Sequence, residues 1–258
     1  MKNYLIMVEG AHDIAVLEKI LRFRGVKGKI NNIGELPEVW KHTIPAKFPF
    51  KEGRLDRITP IPSFLYNQNM TVAIKNADGD KEIMPVLQQI IDTMMLGEKD
   101  QLDGVMLICD ADNKTAEEKK SKLLSDYSEK SDFKIIVKTE TVYLDIGIKT
   151  IPVSLFVFPD DEKTGNLENL LLEAAQVAYP ELLELAEKFV EEASEIQKKL
   201  KKDQNAKKAK VGCITNAMKP GKANQVSIAD DDWVSEATLR KCKMLKRLDE
   251  AVGKFIGV

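Results

Sequence analysis

Cysteine and histidine are scarce. Cys109, Cys213 and Cys242 are too few, and odd in number, for a disulfide framework. His12 and His42 are the only histidines and no CxxC pair accompanies them, so a Cys/His zinc centre is not expected. No apolar run approaches the ~20 residues of a membrane-spanning helix, and the first residues lack the basic segment, apolar core and cleavage site of a secretory signal. Neither sign of charge dominates, with 39 Lys and Arg against 41 Asp and Glu and a net charge of −2. Global charge therefore does not announce a nucleic-acid binder, although a local basic patch is still allowed. No GxxxxGK[ST] phosphate loop occurs, so no ATPase is expected within the chain. Together these absences predict a soluble protein of a reducing, cytoplasmic compartment, with no membrane partner.

What is present is enough for a core. The chain has 258 residues, 43% of them hydrophobic and 31% charged. Residues 4–8 are an apolar run and Ile14, Leu17 and Leu21 recur at helical spacing, which predicts a strand followed by a helix over 12–24. "KGKINNIG" (27–34) reads as a short strand. Residues 35–69 carry five prolines and little periodicity, and are expected to be an excursion outside the core sheet. Strands are predicted at 70–75, 103–113, 133–139 and 152–160, with helices at 82–95 and about 115–130. Alternation of strands and helices predicts an α/β fold, with a mainly parallel sheet flanked by helices. After Asp160 the pattern turns helical. The expected organisation is a core over 1–160 and a mostly helical extension over 161–258 packed on it, with 219–232 a loop and 233–256 a closing helix.

The acidic residues stand out by position. Glu9 follows the strand "YLIMV" and precedes Gly10; Asp110 and Asp112 follow "VMLIC". Ligands of open α/β sheets bind beyond the carboxyl ends of parallel strands. A carboxylate at such a place must be hydrated, hydrogen-bonded or neutralised, and a cluster of them suits a hard divalent cation, Mg²⁺ or Mn²⁺. The plainer interpretation of each acid alone is a turn residue or a helix cap. Asp13 lies one helical turn beyond Glu9. Glu168, in "GNLENLLL", is either a further acid of the site or a charge that complements a helix N-terminus.

The two strand-acid motifs, "VEGAHD" (8–13) and "LICDADN" (107–113), resemble the Toprim domain of topoisomerases, bacterial primases and OLD-type nucleases. "NADGDK" (76–81) lies where such domains place a glycine-containing turn. The likeness covers roughly residues 1–160, with 35–69 as a departure. It implies a compact α/β fold that binds Mg²⁺ through Glu9, Asp110 and Asp112. Likeness to OLD-type nucleases further implies a second acid, Asp13. Asn166-x-Glu168 would stand for their Ser-x-Glu element, with Asn in place of Ser. A lysine beyond the two aspartates is also implied, for which "KKAKVGCI" offers Lys208 and Lys210. Lys210 is carried as the catalytic candidate, and Lys207, Lys208 and Lys210 as cations for nucleic acid. The chain also resembles small stand-alone Toprim proteins, which consist of a core and a helical extension.

The resulting expectation is a metal-dependent phosphodiesterase acting on DNA or RNA, with an ATPase supplied, where one is needed, by a separate partner. The alternative is a Mg²⁺-binding regulatory or interaction module whose Toprim site is not catalytic. Primase-like nucleotidyl transfer has less support, since no zinc-binding or helicase module is present. "DADNKT" departs from the DxDxT phosphatase motif by a residue. His12 is a weaker candidate base, and Cys109 is expected to pack. Trp40, Phe48, Phe50, Phe64 and Tyr66 are expected either to stack on bases or, more simply, to pack beneath the 35–69 loop.

Overall fold

Strand β1 (Lys2–Val8) is buried at every position after Lys2, as its uninterrupted apolar run requires of a strand covered on both faces. The computed structural model describes residues 1–44, 61–128, 134–138 and 141–258. Around β1 lie β2 (Gly28–Ile30), β3 (Ser63–Tyr66), β4 (Met70–Asn76), β5 (Gly104–Asp110), β6 (Lys134–Lys138), β7 (Thr141–Asp145) and β8 (Thr150–Phe158). They form one sheet in the order β2-β3-β4-β1-β5-β8-β7-β6. β1 runs parallel to β4, with Met7 opposite Lys75, and parallel to β5, with Met7 opposite Leu107.

The sheet is thus mixed rather than mainly parallel. β2–β3, β3–β4, β6–β7 and β7–β8 pair antiparallel. For β3–β4, β6–β7 and β7–β8 the reason is connection length. Three residues join β3 to β4, two separate β6 from β7 and four join β7 to β8, whereas a parallel crossover needs a dozen or more. Asn67 Oδ1 accepts the N–H groups of Asn69 and Met70 and closes the β3–β4 turn.

The expectation for 35–69 needs correction at one strand. β3 lies inside this segment and is built into the sheet. A tight helical turn (Glu38–Thr43) buries Trp40 completely; its ring lies 6.1 Å from that of Phe64, and its Nε1 donates to Thr71 Oγ1 at 2.8 Å. Trp40 and Phe64 therefore pack and are not open for stacking. Phe48 and Phe50 lie outside the described residues.

The helices are α1 (Ala11–Phe23), α2 (Ile83–Thr93), α3 (Leu96–Gln101), α4 (Ala116–Ser128), α5 (Leu167–Ala178), α6 (Pro180–Ile196), α7 (Asp203–Met218), α8 (Asn224–Asp230), α9 (Glu236–Lys241) and α10 (Lys243–Ile256). Among the described residues no helix is long and apolar enough to cross a membrane. The chain packs as two compact units. One comprises Met1–Gly10, Leu21–Ile108 and Lys120–Leu155; the other comprises Ala11–Ile20, Cys109–Lys119 and Phe156–Val258. The second unit contains all of α5 to α10 together with two earlier pieces of the chain. Within it α7 packs on α5, α6 and α8.

Two local expectations change here. The loop foreseen at 219–232 contains α8. The closing helix is broken at Cys242, whose backbone is extended. Glu173 of α5 accounts for the break: its carboxylate accepts the N–H groups of Lys243 at 3.2 Å and Met244 at 2.9 Å, so a new helix starts there with its first donors satisfied.

Candidate functional site

Because β1 and β5 are parallel neighbours, both run toward the same end of the sheet. Glu9 directly follows β1 and Asp110 closes β5. In the first unit the backbone carbonyls of Val8 and Glu9 accept the N–H groups of Ala77 and Gly79, which ties the end of β1 to the turn after β4. Asp78 and Gly79 both adopt positive φ in that turn.

The other candidate acids belong to the second unit. Asp110 Oδ1 accepts the N–H of Leu167, the first residue of α5, at 2.9 Å. A strand-end carboxylate thus serves the orphan donors and the positive end of a helix. Ala111 is buried and its N–H donates to Phe158 O at 3.1 Å. Asp112 adopts left-handed φ, 56°, a conformation uncommon outside glycine. It is held there by a two-way backbone bridge with Gly165: Asp112 N–H donates at 2.7 Å and Gly165 N–H returns at 2.9 Å. Gly165 has φ 136°, and a Cβ there would sit 2.7 Å from Asn169 Oδ1, so both backbone and space call for glycine. The Asp112 carboxylate is met by Gln204 Nε2 at 2.9 Å on Oδ1 and by Lys119 Nζ at 3.7 Å on Oδ2.

Glu168, in the first turn of α5, is buried. Burial pushes its carboxyl above the usual range, and Asp112 adds to this. The Lys208 ammonium, the Glu168 backbone N–H and, more weakly, Lys207 act against it. Lys208 also acts on His12, whose imidazole is held below its ordinary value first by burial and then by that cation. Asp13 is buried in the first turn of α1. Asn166, which precedes α5, is buried as well. Its N–H donates to Asn169 Oδ1 at 3.2 Å, but its own side-chain oxygen has no hydrogen-bond partner among the described residues. Buried polar atoms are seldom left so, and each one asks for an explanation.

The three lysine candidates separate cleanly. Lys210 lies 3.3 Å from Glu187 of α6, and Lys207 is paired with Asp203. Lys208 is the cation whose field reaches both Glu168 and His12. Lys208 thus acts electrostatically on the acid of α5, while Lys210 is engaged by Glu187 on α6.

The second unit therefore places Glu168 in electrostatic reach of Asp112 and Lys208, and His12 in reach of Lys208, and sets Asp110 at the start of the helix that carries Glu168. Gln204, Lys119 and Gly165 were not singled out from the sequence. Only Gln204 left a signal there, since it precedes Lys208 by four residues and so shares its helix face. Among the described residues, no group of three or more His, Cys, Asp or Glu side chains is arranged to hold a metal ion. The donor set is nonetheless of the kind a hard cation takes: carboxylates of Asp110, Asp112, Asp13 and Glu168, and a buried amide oxygen of Asn166 that accepts nothing from the described residues.

Among solved structures the chain is similar to a hypothetical protein, PH0156, from Pyrococcus horikoshii OT3. The TM-score is 0.55 at 17% identity, over 98% of this chain and 100% of that one, which shows a shared fold. A comparison with curated proteins returns no match. A family model described as protein of unknown function (DUF3226) matches residues 3–250, and the chain belongs to that family.

Proposed function

We propose that the chain is a metal-dependent phosphodiesterase acting on nucleic acid, built on a Toprim-like core whose parallel centre is β4-β1-β5. The observation that carries this reading is the start of α5: a buried Glu168 with a raised pKa beside an Asn166 oxygen that accepts no hydrogen bond from the described residues. An oxygen-liganded cation would remove both costs at once. In this reading Asp110, Asp112, Asp13, Asn166 and Glu168 would hold Mg²⁺ or Mn²⁺, with Glu9 as the ligand assigned from the sequence. A bound divalent ion supplies Lewis acidity and a water of lowered pKa. Lys208 neutralises charge that builds on the scissile phosphate. Gln204 and Lys119 orient Asp112, and the Gly165 bridge fixes its backbone. A cytoplasmic setting and a separate ATPase partner go with this proposal.

The test is cleavage of plasmid DNA, single-stranded DNA and tRNA with Mg²⁺ or Mn²⁺. Asp112→Asn is the cleaner substitution, because Asp110 also serves the α5 N-terminus. It is expected to lower the rate ~10²–10³-fold, the equivalent of ~3–4 kcal/mol of transition-state stabilisation. Activity that survives both Asp112→Asn and chelation would overturn the assignment.

One observation favours a second reading, a regulatory or interaction module. Both Asp110 and Asp112 are already engaged by protein donors, Leu167 N–H, Gln204 and Lys119. Metal binding by calorimetry without cleavage of any substrate would select it.

A further inference from the structure

Residues 197–210 hold seven lysines and a single acid, Asp203, in a chain whose net charge is −2. The structure sorts these lysines. Lys201 pairs with Glu195 at 3.0 Å, Lys207 with Asp203, and Lys210 with Glu187. Lys198, Lys199, Lys202 and Lys208 are exposed and make no ion pair among the described residues.

These four are not on a loose tail. Lys198–Lys201 form a tight helical turn in which Gln197 Oε1 accepts the N–H of Lys199 at 3.3 Å. Asn205 Nδ2, in the first turn of α7, donates to Lys199 O at 2.8 Å and fastens that turn to the helix. Lys202 is the residue from which α7 starts. Along α7, Gln204 reaches Asp112, and Lys208, one turn on, acts electrostatically on Glu168. The basic turn therefore leads along one helix onto the acid cluster. At ~1.5 Å per residue, Lys202 and Lys208 are separated by ~9 Å along the axis, or roughly two to three phosphates at the ~3.4 Å axial spacing of one strand.

We propose that Lys198, Lys199, Lys202 and Lys208 form a phosphate track that delivers a polynucleotide strand to the acid cluster, so that the substrate is a chain of several nucleotides rather than a mononucleotide or a simple phosphate ester. This rests on the phosphodiesterase reading for its destination but not for the binding itself. The lysines contact backbone phosphates and carry no sequence information, so base identity is not read by this track.

The experiment separates the two. Binding of labelled single-stranded and duplex oligonucleotides to the full chain is measured by fluorescence anisotropy in EDTA, from 50 to 250 mM salt, without cleavage. A single strand that meets four lysines gives a slope of log K against log salt of about −3. The triple variant Lys198→Gln/Lys199→Gln/Lys202→Gln is expected to flatten it by about 2, and the matching Lys→Arg triple to restore it. Wild type that binds no oligonucleotide, or a Gln triple with the wild-type slope, overturns the track. Binding that follows this pattern while no substrate is cut supports the track and removes the phosphodiesterase. If cleavage occurs, the Gln triple should raise KM for a 20-mer and leave a dinucleotide unaffected. An unchanged KM on the 20-mer overturns the track and leaves the phosphodiesterase standing.

Discussion

Each unit buries a polar cluster, and the two clusters are finished differently. In the first, Trp40 Nε1 donates to Thr71 Oγ1, Thr71 donates to Asn3 Oδ1 at 2.7 Å, Asn3 Nδ2 donates to Gln101 O at 2.9 Å, and the Asn3 N–H donates to Asp103 at 2.7 Å. Every donor in this chain finds an acceptor. In the second, Asn166 Oδ1 accepts nothing from the described residues and Glu168 is an acid kept from water. A closed network fixes a structure; an open one stores the free energy that an arriving ligand releases. It is this difference that the proposed function draws on in placing its chemistry at the second cluster.

The largest effect expected from breaking this contrast is at Trp40. Trp40→Ala removes a fully buried ring and leaves Thr71 short of a donor, and should cost about 3–5 kcal/mol in urea denaturation. A loss below about 1 kcal/mol would show that the first cluster is not structural. Next comes Lys75, the buried cation of the first unit, whose ammonium is brought down to about 8 by burial. The folded value lies below the unfolded one, so the penalty is complete below pH 8 and fades as the pH rises toward ~10.4. Lys75→Met should therefore stabilise the chain at pH 7 by at most about 3 kcal/mol, with the gain shrinking between pH 8 and 10. A pH-independent difference would rule out desolvation as its cause.

Smaller effects sharpen the second cluster. Asp110→Ala deprives the α5 N-terminus of its acceptor and should cost about 1 kcal/mol, while Asp110→Asn, which keeps an oxygen, should recover most of it. Equal stability of the two variants would show that the Leu167 hydrogen bond contributes nothing. The smallest change is at Glu168. Its folded pKa is raised, so the ionised form is penalised at neutral pH and the penalty is relieved as the pH falls through the carboxylate range. Glu168→Gln should raise the Tm at pH 7, with the advantage lost toward acid pH. A lower Tm at pH 7 would mean that the cluster is closed after all.

Much of the centre of the fold was legible because it depends on local pattern. The apolar runs of β1 and β5 and the helical spacing of α1 and α5 need no distant partner to be recognised. The hairpin flanks were harder. β3 hides in a proline-rich stretch, and β7 has one buried residue, Leu144, so its alternation is weak. The break between α9 and α10 is set by Glu173, about 70 residues earlier, and leaves no mark on the helical periodicity. At the site, the acids were visible because each ends a strand or opens a helix. The preference for Lys208 over Lys210 was not, because two lysines two residues apart look alike until Glu187 on a neighbouring helix engages one of them. The unsatisfied oxygen of Asn166 is a property of three-dimensional enclosure, which no spacing reports.

Surface connections usually tolerate insertions and deletions. The stretch between β8 and α5 has lost that freedom. It is hooked to Asp112 at Gly165, and Gly165 abuts Asn169, which in turn receives the Asn166 N–H. One residue more or fewer would move Asp112 or the first turn of α5, and with it Glu168. The length of this loop, as much as any side chain in it, is therefore a heritable constraint on the site: relatives that keep the acids should keep the residue count between Phe158 and Gly165 as well.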